Sequence, residues 1–347
     1  MQLYPVFTLG SRGYNLYMNI KIPEISDQLY KEDILDVMEN KYSILGSLWV
    51  SHQMEWCNGV YSSFKDHDKF LIVIFLLKKT LDFYSRNFVK LSYEEFYSRD
   101  TVEIEKFNIA ELTQALNIPK ESARRKILEL ESKGAIRKIK KKIILDRSKF
   151  YYSKPIDSIK RVSRFLTTLS ELCKEEKILP KNITSEELEL VIKDNFSYIW
   201  KLYYEVQIPM LISYKKIFED IESFHIFGIC VVNEHLHGRK ISEDYMNRDT
   251  FLKSIFEENK GQGINAMSIS DITSIPRATV IRKLKKLVNK KILTIDIKKH
   301  YKLTGSFAKK LKPVQKDVFI KLANFSTSIF NLIILNKKLK DKSTNHF

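Results

Sequence analysis

Cysteine is scarce in this chain: Cys57, Cys173 and Cys230 are its three in 347 residues, far apart and odd in number. They exclude a disulfide framework, and the lack of any CxxC spacing removes a thiolate zinc site. A reducing cytoplasm is the expected setting. Glycine and proline are also few, ten and eight. Leu, Ile, Lys and Glu are plentiful, which favours helices with short connections over an all-β or doubly wound architecture. Long apolar runs are missing. "FLIVIFLL" at 70–77 is too short to span a bilayer, and "LANFSTSIFNLIIL" at 322–335 falls below the ~18 to 20 residues needed. Both are expected to be buried helices. The N-terminus shows no signal-peptide pattern, so no membrane partner is expected.

Catalytic signatures are missing too. "GQG" at 261–263 lacks the third glycine and the preceding strand of a dinucleotide site, and no phosphate-cradling loop, HExxH or nucleophile elbow occurs. His235 and His237 in "EHLH" fall on different helix faces without a third ligand. The chain is expected to be no enzyme and to need no cofactor or metal.

What the chain has in excess is positive charge. Its formal net charge is +17, which suits a polyanionic partner. The location of that charge says more than its size. Residues 118–146 hold ten Lys/Arg against four Asp/Glu, and residues 275–304 hold ten against one. These two windows carry nearly all of the excess.

The windows correspond because the chain is written twice. Residues 31–72 align without gaps on 185–226 at an offset of 154, with nine identities: Glu32/Glu186, Val37/Val191, Ser43/Ser197, Leu48/Leu202, Gln53/Gln207, Phe64/Phe218, Asp66/Asp220, Phe70/Phe224 and Ile72/Ile226. Three matches follow in the same order: "SRDT" at 98 with "NRDT" at 247, "IPKESARRKILELESKGAI" at 118 with "IPRATVIRKLKKLVNKKIL" at 275, and "KP" at 154 with "KP" at 312. Collinear order at a fixed spacing is the mark of tandem duplication. The expected division is an N-terminal extension at 1–30, a first repeat at 31–178, a second at 185–338 and a basic tail at 339–347. A boundary falls near "EEKILPKNITSEE", where Thr184 and Ser185 start a helix.

Within the first repeat "IAELTQAL" places Ile109, Leu112, Ala115 and Leu116 on one helical stripe. Pro119 follows at a turn and opens a second helix, along which Ala123, Ile127 and Leu130 form the buried stripe. Gly134 supplies the left-handed residue that stops it. "AIRKIKKKIILD" then alternates apolar and basic residues around a lysine turn, the pattern of a small hairpin. The second repeat keeps the order, with Val280, Leu284 and Leu287 as its stripe. Lys291 stands there where the first copy has Gly134.

Helix, tight turn, helix and basic hairpin together resemble the winged helix-turn-helix. Long helices before the motif (about 42–56 and 196–208) and after it (156–176 and 314–336), with the "LESKGAI" step at 130–136, narrow the resemblance to the MarR-like transcription regulators. The fold expected from it is mainly α: two tandem winged helix-turn-helix domains, motif and wing at about 109–146 and 266–304. Flanking long helices would form an intramolecular pseudo-dimer, and small β-hairpins would be the wings.

The resemblance implies double-stranded DNA as the partner and sequence-specific transcription regulation as the function. A recognition helix lays its first two turns in the major groove. The outward residues there are Lys120, Glu121, Ser122, Arg124 and Arg125 in the first copy, and Arg277, Thr279, Arg282 and Lys283 in the second. Wing lysines Lys138, Lys140, Lys141, Lys142, Lys298 and Lys299 would neutralise phosphates. Glu121 and Arg124 face Ala278 and Ile281 in the other copy, so the half-sites read should differ. The second copy is the more basic and is expected to supply more of the affinity. One chain is expected to act as a monomeric pseudo-dimer, with a homodimer as the other arrangement. Trp49, Trp56, Trp200, Tyr203 and Tyr204 are expected to pack an interface rather than line a small-molecule effector pocket. The alternative reading is a plasmid-type replication initiator, which also resembles this chain in carrying two winged-helix domains.

Overall fold

A computed structural model describes residues 28–150, 154–239, 245–257 and 263–340. Most of the expected N-terminal extension and tail, residues 261 and 262 of "GQG", and "KISED" at 240–244 lie outside these, as does the His237 side chain. The chain is mainly helical, with two small antiparallel sheets.

The first half runs α1 (Lys31–Asn40), α2 (Tyr42–Phe64), α3 (His67–Arg86), α4 (Tyr93–Phe96), β1 (Thr101–Ile104), α5 (Ile109–Leu116), α6 (Lys120–Ser132), β2 (Ile136–Ile139), β3 (Lys142–Asp146) and α7 (Ile156–Glu175). The second runs α8 (Ser185–Asp194), α9 (Phe196–Phe218), α10 (Ile221–Arg239), α11 (Arg248–Glu257), β4 (Ile264–Asn265), α12 (Ala266–Thr273), α13 (Arg277–Asn289), β5 (Leu293–Ile295), β6 (His300–Leu303) and α14 (Gly305–Lys340). The 154-residue offset carries α1 and α2 onto α8 and α9 end for end. Sheet order is β1-β3-β2 in one half and β4-β6-β5 in the other. The third strands, β1 and β4, were not legible as strands.

The two halves share one core. α2 packs on α10 and α9 on α3; α1 packs on α14 and α8 on α7. Such pairing is reciprocal, as across a two-fold interface. One of the repeat identities, Ser43/Ser197, fastens it on both sides. The Ser43 amide donates to the Met246 carbonyl (3.0 Å) and the Met246 amide donates to Ser43 Oγ (3.0 Å). In the other half the Ser197 amide donates to the Leu91 carbonyl (3.0 Å) and the Leu91 amide donates to Ser197 Oγ (2.9 Å). Each serine therefore satisfies two backbone groups of the opposite half.

The aromatics in α2 and α9 pack as an interface. Trp200 stacks on Phe196 and Tyr203, with ring centroids 5.3 and 4.6 Å apart. The cavity that Trp200 and Tyr203 line from one half with Trp56 and Phe70 from the other measures about 40 Å³, room for one or two waters. Gly228 lets α10 approach α2 closely: a Cβ there would lie 2.1 Å from Met54 Sδ.

"FLIVIFLL" lies in α3 and is largely buried. By length and composition α14 is long enough and apolar enough to cross a membrane. Here its apolar face, with Leu322, Phe325, Ile329 and Phe330 buried, is packed on α1 and α9.

Two local expectations are corrected, and one matched stretch folds differently in the two halves. Ala115 is exposed rather than part of the α5 stripe, which consists of the buried Leu112 and Leu116 with Ile109 partly buried against the core. "SRDT" leads into β1, whereas "NRDT" opens α11, where Asn247 Oδ1 accepts from the Thr250 amide. Pro155 caps the start of α7, but Pro313 sits inside α14, which begins eight residues earlier at Gly305. In both pairs the residues repeat while the local backbone does not.

Lys291 keeps the turn that Gly134 makes. Its φ is 57° against 70°, and in each case the next amide reaches back into the helix, Ala135 to Leu130 and Ile292 to Leu287. A lysine in the left-handed region carries a steric cost that glycine lacks. Lys291→Gly is expected to raise the unfolding free energy by about 0.5 to 1 kcal/mol, read from the urea midpoint. A lowered midpoint would contradict this.

Candidate nucleic-acid interface

α5 and α6, and likewise α12 and α13, are held at a sharp angle by one residue. Asn117 (φ 50°) ends α5 and Ser274 (φ 57°) ends α12 in the left-handed region, which turns the chain into Pro119 and Pro276. Asn108 and Asn265 cap the first helix of each pair through side-chain bonds from Glu111 and Ser268 amides. The expected stripes are buried: Ala123, Ile127 and Leu130 in α6, Val280, Leu284 and Leu287 in α13. Their burial fixes which faces point outward.

On those faces Lys120, Arg124, Arg125, Arg277 and Arg282 are exposed, while Ser122 and Thr279, at equivalent places, are half-buried beside the core. Arg125 lies 3.8 Å from Glu129. The outward side of α13 presents Ala278 and Ile281 among the cations Arg282, Lys285 and Lys290 on one open surface. On α6 the place of Lys285 is taken by Leu128, which is also exposed.

Lys283 does not belong to the outward face. It is half-buried, and its ammonium lies 2.5 Å from Asp220 Oδ2. Lys126 makes the equivalent pair with Asp66. Both aspartates also cap a helix, Asp66 accepting from the Lys69 amide (3.1 Å) and Asp220 from the Ser223 amide (2.7 Å). One carboxylate thus caps the helix that enters the shared core and anchors the helix that faces out. The reason is positional: residue 283 is next to Leu284 on the helix, close enough to the buried stripe to reach α10. The sequence did contain this signal. Asp66/Asp220 and the Arg-Lys step are retained in both copies while outward neighbours diverge, the pattern of a contact rather than a reading face.

A second support has reversed sign. Glu129 of α6 pairs with Lys69, whereas Lys286 and Lys290 of α13 pair with Glu219. Lys69 holds the Glu129 carboxyl below the usual range by hydrogen bonding.

The hairpins differ. The first is tight, with Lys140 (φ 54°) and Lys141 at its turn. Lys138 pairs with Glu131 (2.9 Å) and Lys142 with Glu103 (3.0 Å) across exposed surface. In the second, Asp296 Oδ1 accepts the amides of Lys298 and His300, both at 2.9 Å. The His300 amide bond holds the Asp296 carboxyl below its ordinary range. Lys298 and Lys299 stand exposed beside it. The first sheet is tied to the body by Arg147, a buried guanidinium that donates to the carbonyls of Phe96 and Asp100 and stacks on Phe96 and Tyr97. Burial pushes its pKa down.

Among the described residues, Lys120, Arg124, Lys133, Lys140 and Lys141 in the first window have no ion-pair partner. Neither do Arg277, Arg282, Lys285, Lys291, Lys298, Lys299 and Lys302 in the second. Cations on the body are divided: Lys41, Lys69, Lys78, Lys79, Lys201 and Lys215 each meet a carboxylate, whereas Lys90, Lys106, Lys160 and Arg164 make no ion pair among the described residues. No group of three or more His, Cys, Asp or Glu among the described residues is placed to hold a metal.

The assignment of Lys283 can be checked directly. Asp220→Ala removes a cap and strands a poorly hydrated ammonium, so it is expected to cost about 2 to 3 kcal/mol of stability. Lys283→Met should lower the denaturant midpoint and leave the salt dependence of any polyanion binding intact, whereas Arg282→Ala should do the reverse. A Lys283→Met chain that loses binding at full stability would restore it to the outward face.

No known protein family, curated protein or solved structure matches this chain.

Proposed function

We propose that this chain is a sequence-specific double-stranded DNA-binding transcription regulator, built as two tandem winged helix-turn-helix units that act as an intramolecular pseudo-dimer. In this reading α6 and α13 are the recognition helices and the hairpins β2-β3 and β5-β6 are the wings. The observation that carries it is the placement of the unpaired cations. They gather on the outward turns of α6 and α13 and at both hairpin turns, the same elements in the two halves, within windows where basic residues outnumber acidic ones ten to four and ten to one. A solvated face chosen only for solubility has no reason to be written twice in the same two elements.

Arg124, Arg277 and Arg282 suit paired contacts to guanine, and Ser122 and Thr279 suit bases or phosphates at closer range. Lys138, Lys140, Lys141, Lys142, Lys298 and Lys299 neutralise phosphates. Reciprocal packing of the halves would present both helices to one side of a duplex, as a homodimeric reader does with two chains.

The test is selection of bound sequences from random duplexes, followed by footprinting at known stoichiometry. One chain is expected to protect about 15 to 25 base pairs, scaled from half-sites ~34 Å apart. The two half-sites should be unlike, because Glu121 and Arg124 face Ala278 and Ile281. Protection of a single half-site at saturation counts against the pseudo-dimer, and absence of any preferred sequence counts against specific recognition.

A further inference from the structure

We propose that Ile297 is an apolar wedge that the second hairpin inserts into the DNA minor groove, partly unstacking one base step and bending the duplex. The inference rests on the DNA-binding reading above and goes beyond it, because it assigns the second wing a role different from the first.

Ile297 is 99% exposed at the tip of the β5-β6 loop. Loop tips ordinarily carry Gly, Asn, Asp or Ser, and the first hairpin presents only Lys140 and Lys141 at its turn. The loop beneath Ile297 is built to hold it out. The Asp296 amide donates to the His300 carbonyl (3.0 Å), and the Lys299 amide donates to the Asp296 carbonyl (3.0 Å). The Asp296 side chain accepts two further amides, those of Lys298 and His300. Its carboxylate stays ionised while it braces the loop, so beside the exposed Lys298 and Lys299 the tip keeps a net positive charge.

A β-branched side chain has few rotamers to lose, and a loop closed by four hydrogen bonds has little backbone freedom to lose. Both lower the entropic cost of insertion. Apolar wedges of this size flanked by cations are a known device of minor-groove binders, in which the lysines hold the phosphates on either side while the apolar group enters the stack. Insertion is least costly at pyrimidine–purine steps such as TA or CA/TG. The first wing, with lysines alone at its turn, would lie along the backbone without unstacking. Bending is then expected at one end of the site and not at the other.

The test uses the full chain and the duplex recovered by selection, labelled at both ends to report bending and carrying 2-aminopurine at each candidate step to report unstacking. Ile297→Ala is expected to weaken binding by about tenfold, the loss of most of one buried isoleucine. It should also remove the bend and the 2-aminopurine signal while leaving the salt slope unchanged. Ile297→Leu should keep all three. An Ile297→Ala chain that binds and bends like the unmodified one overturns the wedge and leaves the DNA reading standing. A DNA-free chain that self-associates and is made monomeric by Ile297→Lys also overturns it, assigning the residue to a contact between copies. Failure of the unmodified chain to bind any duplex removes the DNA reading and the wedge with it.

Discussion

Alanine at Arg277, Arg282, Lys298 and Lys299 together is expected to lower affinity for the selected duplex by about two to three orders of magnitude near 0.15 M salt. The plot of log K against log salt should also flatten, by about 0.9 for every phosphate no longer neutralised. The fold should be unaffected, because none of the four has an ion-pair partner among the described residues and all are exposed. The cations without an ion pair on the same two elements of the first half, Lys120, Arg124, Lys140 and Lys141, are expected to cost less. Glu121 stands exposed on the same face of α6, and its repulsion of phosphate already offsets part of what those cations contribute. Alanine at Lys138 and Lys142 should cost least of all, since each is already paired with a carboxylate. Fluorescence anisotropy across a salt series separates the three sets. Equal losses, or a slope that stays fixed in the first set, would remove the assignment of these residues to phosphate neutralisation.

The ranking also shows where the sequence was informative. Helical periodicity placed the buried stripes of α6 and α13 correctly because apolar residues at three- and four-residue spacing leave one face to bury. Comparing the copies then located the outward face by elimination. It failed at Lys283, because periodicity alone does not separate a charged residue beside the stripe from an outward one, and the retained Asp66/Asp220 pair that marks its partner lies 63 residues away. Lys291 misled in the opposite direction. A missing glycine weakens the case for a turn, yet the tertiary packing around Leu287 and Ile292 holds the lysine in the left-handed region. The strands β1 and β4 escaped notice because they are four and two residues long and stabilised by pairing with a hairpin distant in sequence. Least legible was the way the halves interlock. Ser43 and Ser197 were visible as an identity, but nothing in one sequence says that a serine repeated at the start of two helices bonds the backbone of the opposite half.

That interlocked core is expected to fail in acid. His52 and His225 are buried between the halves, His52 Nε2 lying 2.9 Å from Tyr203 Oη and His225 Nε2 lying 2.7 Å from Asn58 Oδ1. Burial pushes the His52 pKa down to about 3, and burial pushes that of His225 well below the usual imidazole range, helped by the nearby His67. Both stay neutral in the folded chain at a pH where an unfolded imidazole, near ~6.5, takes up a proton. A depressed folded pKa contributes stability that is fully present above the unfolded value and is lost as pH falls toward the folded one. For His52 that window runs from about 6.5 down to about 3. Each such group costs about 2 kcal/mol on going from pH 7.5 to pH 5, so the pair removes about 4. That is a large fraction of the ~5 to 15 kcal/mol that holds a typical domain together. Glu222 acts in a different window. Burial raises its pKa, but the hydrogen bond and charge of His67, a backbone amide and the Lys283 ammonium together outweigh it and bring the carboxyl to about 2. Its contribution is therefore lost only as pH falls below the ordinary carboxylate value toward 2. Guanidinium midpoints at pH 7.5 and pH 5 measure the effect, and His52→Gln should remove about half of the difference while lowering stability at pH 7.5. A midpoint that does not move between these values would mean that one or both imidazoles accept a proton inside the fold, by drawing in water or opening the interface. Because the same helices α2, α3, α9 and α10 set how the halves are joined, the two-site footprint should shorten to one half-site over the same pH range in which the core loosens.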